Sequence, residues 1–151
     1  QVLDEQCESM QLRAQERGIE LRAVSCDEDL VVFADRARLA QVVRELLTNA
    51  IKFTTGGYVQ VRAKVLDGMV FVEVQDTGSG IPRERLATLF HAFQPDTDQR
   101  RSLRRGMGLG LSISKQIMQG HNGALEVKSK AGVGTAFTLR LPRNSKTLPR
   151  K

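Results

Sequence analysis

The stretch RARLAQVVRELLTNAIKF (residues 36–53) decides the fold of this chain. Its apolar residues recur at intervals of three and four positions, which is typical of an α-helix with one buried face. Asp35 stands where an N-cap is expected, and Thr54-Thr55-Gly56-Gly57 ends the pattern. The apolar positions are Leu39, Val42, Val43, Leu46, Leu47, Ala50 and Ile51. We therefore expect a long helix that buries this face.

Shorter patterns lie on both sides of this helix. Upstream we predict a polar helix over 3–17 that stops at Gly18, and strands over 19–24 and 30–33. Downstream we predict strands over 58–66 and 69–75 joined at Asp67-Gly68, a short helix over 82–90, a loop over 94–105, a helix over 109–119, and strands over 125–128 and 136–141. Strands and helices do not alternate regularly, so a doubly wound parallel sheet is not expected. The order predicts an α+β fold with one mixed, mainly antiparallel sheet covered on one face by helices.

Composition excludes several classes of protein. The 151 residues are 40% hydrophobic and 26% charged, which fits one globular domain and argues against disorder. No apolar run approaches the roughly 20 residues that span a bilayer. Asp4, Glu5 and Glu8 do not fit a secretory leader, and Gln1 in place of Met suggests a piece of a longer polypeptide. We expect a cytoplasmic domain without direct membrane contact, whatever the parent protein does.

Cysteine and histidine are too sparse for a metal site or a disulfide framework. The only cysteines are Cys7 and Cys26, and we expect both to be ordinary thiols. The only histidines are His91 and His121, which are too far apart for a compact histidine motif.

The net charge of +6 comes from two clusters of basic residues. The clusters are Arg100, Arg101, Arg104 and Arg105, and Arg143, Lys146, Arg150 and Lys151. The remainder of the chain is close to neutral, so we do not expect nucleic-acid binding. The second cluster is expected to be a solvated tail or linker.

Three polar residues of the long helix could hold a metal. Glu45 and Asn49 lie four positions apart, and Lys52 follows after one more turn, on a stripe that we place opposite the apolar face. A carboxylate and an amide oxygen suit Mg²⁺, which prefers oxygen ligands. A solvated face is the alternative interpretation of the same stripe.

Two glycine motifs add to this picture. Asp76-Thr77-Gly78-Ser79-Gly80 follows a strand, so its aspartate could accept a hydrogen bond from the amine of a base, although a simple turn would look alike. Gly106-Met107-Gly108-Leu109-Gly110-Leu111 opens a helix, where backbone N–H groups can bind phosphate. A charged loop precedes it instead of a strand, which disfavours a dinucleotide-binding fold.

Taken together, these segments resemble the catalytic ATP-binding domain of two-component sensor histidine kinases. The segment over 45–54 resembles the N box, the segment over 76–82 the G1 box, the segment over 89–93 the F box and the segment over 106–111 the G2 box. The segment over 132–142 resembles the closing hairpin. The resemblance implies the Bergerat fold, a two-layer α/β sandwich shared with gyrase, mismatch-repair ATPases and a heat-shock chaperone.

The resemblance also implies a site for ATP and Mg²⁺. Asn49, with Glu45, would hold the metal, and Lys52 would lie near the phosphates. Asp76 would bind the adenine amino group, and Thr135 would lie near the base. Further binding residues would be Gly78, Gly80, Ile81, Phe93, Arg104, Arg105, Gly106, Met107, Gly108, Leu109, Gly110 and Leu111. Phe90 and Phe93 would anchor a lid, or would simply pack in the core.

The implied reaction is transfer of the ATP γ-phosphoryl group to a histidine on a separate dimerisation domain, with a response regulator receiver domain downstream. Residues 1–18 would be a linker helix from that missing domain, 19–142 the catalytic domain and 143–151 the tail. Neither His91 nor His121 fits a phosphoacceptor motif.

Some positions depart from the family pattern. Arg105 and Met107 replace a glycine and a threonine near the lid, and Glu45 stands where many histidine kinases carry asparagine. A gyrase-like hydrolytic ATPase and an inactive nucleotide-binding module therefore remain as alternatives.

Overall fold

The computed structural model describes residues 1–23, 30–90 and 105–143, with the side chains of 105–109 left out. The elements run in the order α1 (Val2–Glu16), β1 (Glu20–Ala23), α2 (Arg36–Phe53), β2 (Tyr58–Leu66), β3 (Met69–Asp76), α3 (Arg83–Leu86), α4 (Arg105–Gly120), β4 (Ala124–Lys130) and β5 (Gly134–Pro142). No helix in the described ranges is long and apolar enough to cross a membrane.

The strands of the described residues form one mixed sheet in the order β1-β2-β3-β5-β4. β1 pairs parallel with β2, and the other neighbours are antiparallel. The predicted turn at Asp67-Gly68 is confirmed, because both residues take the positive φ that a tight hairpin requires. This register places Asp76 directly opposite Thr135 on neighbouring strands.

One face of the sheet is buried under helices, as predicted. In β3 every second residue, from Val70 to Asp76, is buried, and the alternate residues are half-exposed. α2 contributes the fully buried Leu46 and Leu47 to the core, and α4 contributes Leu111 and Met118. The opposite face is polar and includes an ion pair between Arg62 and Glu73. The α+β, two-layer architecture is therefore confirmed.

α1 belongs to the same core. Its buried face consists of Cys7, Met10 and Ala14. Glu5 also forms an ion pair with Arg36 at the start of α2. Burial raises the pKa of the Cys7 thiol, which fits an unreactive packing role.

α2 begins and ends where the sequence predicts. The Arg38 N–H donates to the Asp35 side chain at 3.1 Å, so Asp35 is the N-cap. The Thr54 hydroxyl donates to the Ala50 carbonyl at 2.7 Å and ends the helix with a buried side chain.

Three secondary-structure predictions were wrong. The short helix expected over 82–90 is limited to Arg83–Leu86, and residues 87–90 form a turn. Residues 30–33 do not form a strand in the described structure, where Val32 makes only an isolated bridge to Arg143. Val31 and Phe33 are largely exposed. Apolar residues with high β-propensity form a strand only where a neighbouring strand can pair with them, and the sequence does not show whether one is present. We expect a loop that ends at Arg105 and a helix that begins at 109, but α4 begins at Arg105. The helix includes Gly106 and Gly108, because glycine is tolerated inside a helix at a modest cost.

Several expectations lie outside the described residues. They concern Val24, the loop over 94–104 and the tail beyond Arg143.

The start of β2 is clamped to the end of β3 by one threonine. The Tyr58 N–H donates to Thr77 Oγ1 at 3.1 Å, and that hydroxyl donates to the Tyr58 carbonyl at 3.3 Å. Gly57 passes so close that a Cβ there would lie 2.2 Å from Thr77 Oγ1. A side chain at position 57 would therefore displace the clamp.

We predict that Gly57→Ala destabilises the domain more than Gly56→Ala. Both glycines have positive φ, but a Cβ at Gly56 would meet nothing within 4 Å. Gly56→Ala should cost roughly 1–2 kcal/mol of backbone strain. Gly57→Ala should cost about 3 kcal/mol, because the hydrogen bonds of Thr77 are also lost. Denaturant unfolding of both variants checks this, and equal losses would contradict the clamp.

Candidate functional site

Asn49 is buried near the end of α2. It is only 4% exposed, and its Nδ2 donates to Glu45 Oε1 at 3.2 Å. A carboxylate can only accept here, so the amide oxygen of Asn49 remains available for another partner. The prediction that Asn49 lies on a polar stripe opposite the apolar face was wrong, because Asn49 is buried, and the alternative of a solvated face does not hold for it. The turn after β3 packs against the end of this helix, where the Ser79 N–H donates to the Phe53 carbonyl at 3.3 Å.

Lys52 is separated from this pair. Its side chain is exposed, and Nζ lies 5.5 Å from the centre of the Phe53 ring. The structure therefore brings Glu45 and Asn49 together and leaves Lys52 outside.

Glu45 also touches α4. A Cβ on Gly110 would lie 2.0 Å from Glu45 Oε1, so a side chain there would displace the carboxylate of Glu45. The next residue, Leu111, is fully buried and packs in the core. Gly110 lies in the second turn of α4, which begins at Arg105, and the first N–H groups of a helix have no intrahelical partners.

Asp76 ends β3 and is 6% exposed. Its Oδ1 accepts from the Gly78 N–H at 2.9 Å and from the Thr135 N–H at 3.2 Å. Oδ2 therefore remains as the acceptor that can face a ligand. Burial raises the pKa of the Asp76 carboxyl, and the two backbone N–H bonds act in the opposite direction.

The glycines after Asp76 allow the turn to pack against protein backbone. A Cβ on Gly78 would lie 2.4 Å from the Phe53 carbonyl oxygen, and one on Gly80 would lie 2.1 Å from the Lys130 carbonyl oxygen. Gly80 also has a φ of +70°. The close neighbours of these glycines are therefore the end of α2 and the end of β4.

A narrow cleft lies between α2, this turn and β5. It is lined by Asn49, Ala50, Phe53, Asp76, Ser79, Gly80, Ile81, Thr135 and Phe137. Its enclosed part measures about 10 Å³ and continues into an open groove. That volume is close to the minimum for one water, so a base must lie in the groove or displace a lining side chain.

Five predicted site residues therefore meet in one place: Asn49, Asp76, Gly80, Ile81 and Thr135. The sequence motifs did not single out the other four lining residues, Ala50, Phe53, Ser79 and Phe137. Phe53 follows Asn49 by four residues, so a helical wheel could have found it. Phe137 requires the strand register, which the sequence alone does not supply.

Ser129 of β4 was also missed, and it supports the cleft from behind. Its Oγ accepts from the Ile81 N–H at 2.7 Å. The same oxygen lies 2.9 Å from the Gly134 carbonyl and 2.8 Å from the Thr135 hydroxyl.

The remaining predicted residues cannot be placed in the cleft. Phe93 and Arg104 lie outside the described residues. For Arg105, Gly106, Met107, Gly108 and Leu109 only the helical backbone is described. Phe90 is partly buried against the core, and Lys115 Nζ lies 5.0 Å from its ring centre.

A larger space of about 600 Å³ lies beneath α1, lined mainly by aliphatic side chains such as Val43, Val61 and Leu139. Neither Asn49 nor Asp76 lines it, so it is separate from the cleft.

Comparison with solved structures supports the assignment of the fold. Full-length ShkA in complex with AMPPNP is similar with a TM-score of 0.80 and 34% identity, over 93% of this chain and 29% of that one. The nucleotide-free catalytic domain of the histidine kinase ThkA is similar with a TM-score of 0.81 and 28% identity, over 94% of this chain and 92% of that one.

Curated relatives are sensor kinases. The histidine protein kinase DivJ of Caulobacter vibrioides is 39% identical over 136 residues, which are 88% of this chain and 22% of DivJ. The sensor protein TorS of Escherichia coli is 36% identical over 149 residues, which are 98% of this chain and 16% of TorS. The chain thus spans about a fifth of the length of these two relatives.

The family model described as histidine kinase-, DNA gyrase B- and HSP90-like ATPase matches residues 34–145. The match contains α2, the turn after β3 and the cleft between them, and it confirms the family that the sequence motifs indicate. The chain therefore belongs to the family of histidine kinase-, DNA gyrase B- and HSP90-like ATPases.

Proposed function

We propose that this chain is the ATP-binding catalytic domain of a sensor histidine kinase. It would transfer the γ-phosphoryl group of ATP to a histidine on a separate dimerisation domain in two-component signalling. The observation that carries the proposal is that Asn49 and Asp76 line one cleft, and that the hydrogen bonds of Asn49 Nδ2 and Asp76 Oδ1 leave the Asn49 amide oxygen and Asp76 Oδ2 available to a ligand. The sensor-kinase relatives and the AMPPNP complex of ShkA support it.

Asp76 would read the base. The Oδ2 atom of Asp76 can accept a hydrogen bond from an exocyclic amine of the base. A carbonyl oxygen at the same position of the base would be repelled by the lone pairs of Oδ2. Ala50, Ile81 and Phe137 supply apolar walls for the flat ring. This combination favours adenine over guanine.

Asn49 and Glu45 would hold Mg²⁺. The fit is one of donor chemistry, since both present oxygen atoms and lie on adjacent turns of α2. When bound, the metal neutralises charge on the phosphates. Lys52, Arg104 and Arg105 would add positive charge near the phosphates.

The start of α4 would bind phosphate oxygens through the backbone N–H groups of its first turn, which includes Gly106. Gly108 and Gly110 lie further along the helix and would allow the phosphates to approach its backbone closely. The side chains that alternate with the glycines, Met107, Leu109 and Leu111, would position these backbone N–H groups. Phe93 would anchor the lid over the nucleotide. Phosphoryl transfer requires mainly this positioning and charge stabilisation, so the chain itself needs no covalent nucleophile.

The acceptor would belong to another domain. His121 is engaged at both ring nitrogens: Nε2 accepts from the Asp35 N–H at 3.1 Å, and Nδ1 lies 2.8 Å from the Ile117 carbonyl. Such a histidine offers no free nitrogen to phosphate.

The partners would be the histidine-bearing dimerisation domain, linked through residues 1–18, and a response regulator receiver domain. The domain would work in the cytoplasm.

Glu45 is the one feature that favours hydrolysis. A general base for water needs a free carboxylate oxygen near the phosphate. Here Oε1 accepts from Asn49, the residue that would hold the metal, and this pairing favours an orienting role. Oε2 keeps its lone pairs, so Glu45→Gln decides between the two roles.

Asp76→Asn should weaken ATP binding at pH 8 by at least tenfold and leave the fold intact. The amide keeps an oxygen for Gly78 and Thr135 but presents N–H groups where the amine must be accepted. The folded state holds the Asp76 proton more tightly than the unfolded chain does, so the ionised carboxylate costs stability once the pH rises through the raised pKa. The variant should therefore unfold at the wild-type temperature or higher.

Calorimetry with ATP and thermal unfolding measure both effects, and Asp67→Asn at the exposed hairpin turn is the matched control. Wild-type affinity should also fall with acidification at a pH above the ordinary aspartate range. Unchanged ATP affinity in Asp76→Asn would remove Asp76 from the role of reading the base.

Asn49→Ala should impair phosphoryl transfer more than nucleotide binding. Loss of a metal-orienting oxygen affects the phosphates, whereas the base still meets Asp76. We expect transfer to a histidine domain supplied in trans to fall about 100-fold, roughly 2.7 kcal/mol of barrier. ATP affinity should change less than tenfold. Thr48→Ala, one position earlier on α2, is the control, and full transfer by Asn49→Ala would refute the metal assignment.

The isolated chain should hydrolyse ATP slowly and should not label itself with phosphate. Adding the histidine domain should produce an acid-labile phosphohistidine on that domain. Glu45→Gln should retain part of the transfer rate, because an amide oxygen can still accept from Asn49.

Rapid hydrolysis by the isolated chain, abolished in Glu45→Gln and without transfer to histidine, would instead support a gyrase-like ATPase. ATP binding with neither activity would indicate an inactive module.

A further inference from the structure

Ser129 joins the two backbone segments that form the base-binding end of the cleft. It lies on β4 directly opposite Thr135 on β5. Its Oγ contacts the Ile81 N–H on one segment, and the Gly134 carbonyl and Thr135 hydroxyl on the other. Ser129 itself does not line the cleft.

Counting protons fixes the direction of these bonds. A serine hydroxyl has one hydrogen and two lone pairs. The Ile81 N–H can only donate, and the Gly134 carbonyl can only accept. When Ser129 gives its hydrogen to Gly134, its second lone pair accepts from the Thr135 hydroxyl. All three contacts of Ser129 are then satisfied, whereas donation to Thr135 would leave the Gly134 contact without a hydrogen.

This arrangement determines what Thr135 presents to a ligand. With its hydrogen directed to Ser129, the Thr135 oxygen offers only lone pairs to the cleft. Thr135 and Asp76 are paired residues of neighbouring strands, so their side chains lie side by side on the same face. Two adjacent acceptors match an amino group, which carries two N–H donors, and reject a carbonyl oxygen.

We propose that Ser129 is a positioning residue that sets base selectivity by holding the Thr135 hydroxyl as an acceptor. The inference rests on the proposed adenine-nucleotide function of the same cleft. Without Ser129, the Thr135 hydroxyl is free to turn and donate to a carbonyl on the base.

The test compares the affinities of the chain for ATP and for inosine triphosphate, in which a carbonyl replaces the amine. The wild type should prefer ATP. Ser129→Ala should reduce the ratio of the two affinities about fivefold to tenfold, the worth of one hydrogen bond. Ser129→Thr, which keeps the hydroxyl, should retain the wild-type ratio. Thr138→Val, on the opposite face of the sheet, is the control for loss of a hydroxyl.

A double-mutant cycle separates selectivity from general damage. If Ser129 acts through Thr135, then Ser129→Ala should change the ratio no further when Thr135→Val is already present. An additive loss in the double mutant would overturn this route. Thermal unfolding reports on the fold, and Ser129→Cys replaces Ser129→Ala if the alanine variant does not fold.

An unchanged ratio in a folded Ser129→Ala or Ser129→Cys variant overturns the proposal for Ser129 and leaves nucleotide binding standing. A wild-type chain that binds neither nucleotide overturns the proposed function, and the role of Ser129 with it.

Discussion

The site depends on one carboxylate oxygen that accepts two backbone hydrogen bonds. Asp76 Oδ1 binds the Gly78 N–H of the turn after β3 and the Thr135 N–H of β5. These bonds fix the side chain, so Oδ2 has one direction in which to act. The same burial that raises the Asp76 pKa removes competing water, which makes the free oxygen more selective for a donor. The ionised carboxylate costs stability at this position, and under the proposed function it would supply a selective acceptor for a base.

Close backbone approach makes this geometry possible. Gly78 meets the end of α2 at the Phe53 carbonyl, Gly80 meets β4 at the Lys130 carbonyl, and Gly110 meets Glu45. Each contact joins an element that carries a site residue to another such element. The cleft is therefore a consequence of how closely the helices and strands pack. A methyl group at Gly78 or Gly80 would meet backbone atoms and separate these elements, whereas one at Gly110 would displace the Glu45 side chain.

The sequence predicts well whatever depends on local periodicity. α2, its Asp35 cap and the hairpin at Asp67-Gly68 follow from spacing and turn chemistry. Burial of Asn49 does not, because a polar residue on a helix shows no sign of the turn that covers it. The support from Ser129 depends on the register of two strands that meet only in the folded chain. Residues 30–33 have the apolar composition of a strand, but they do not form one, because β-propensity does not show whether a partner strand lies beside them.

The most direct test of this account is a titration of the ¹⁵N-labelled chain with AMPPNP and Mg²⁺, followed by backbone amide shifts. The account predicts saturable changes at Gly78, Ile81 and Thr135, together with the first residues of α4. The polar face of the sheet around Arg62 should not respond. Changes confined to residues around the space beneath α1, or no saturable change, would contradict the assignment of the cleft.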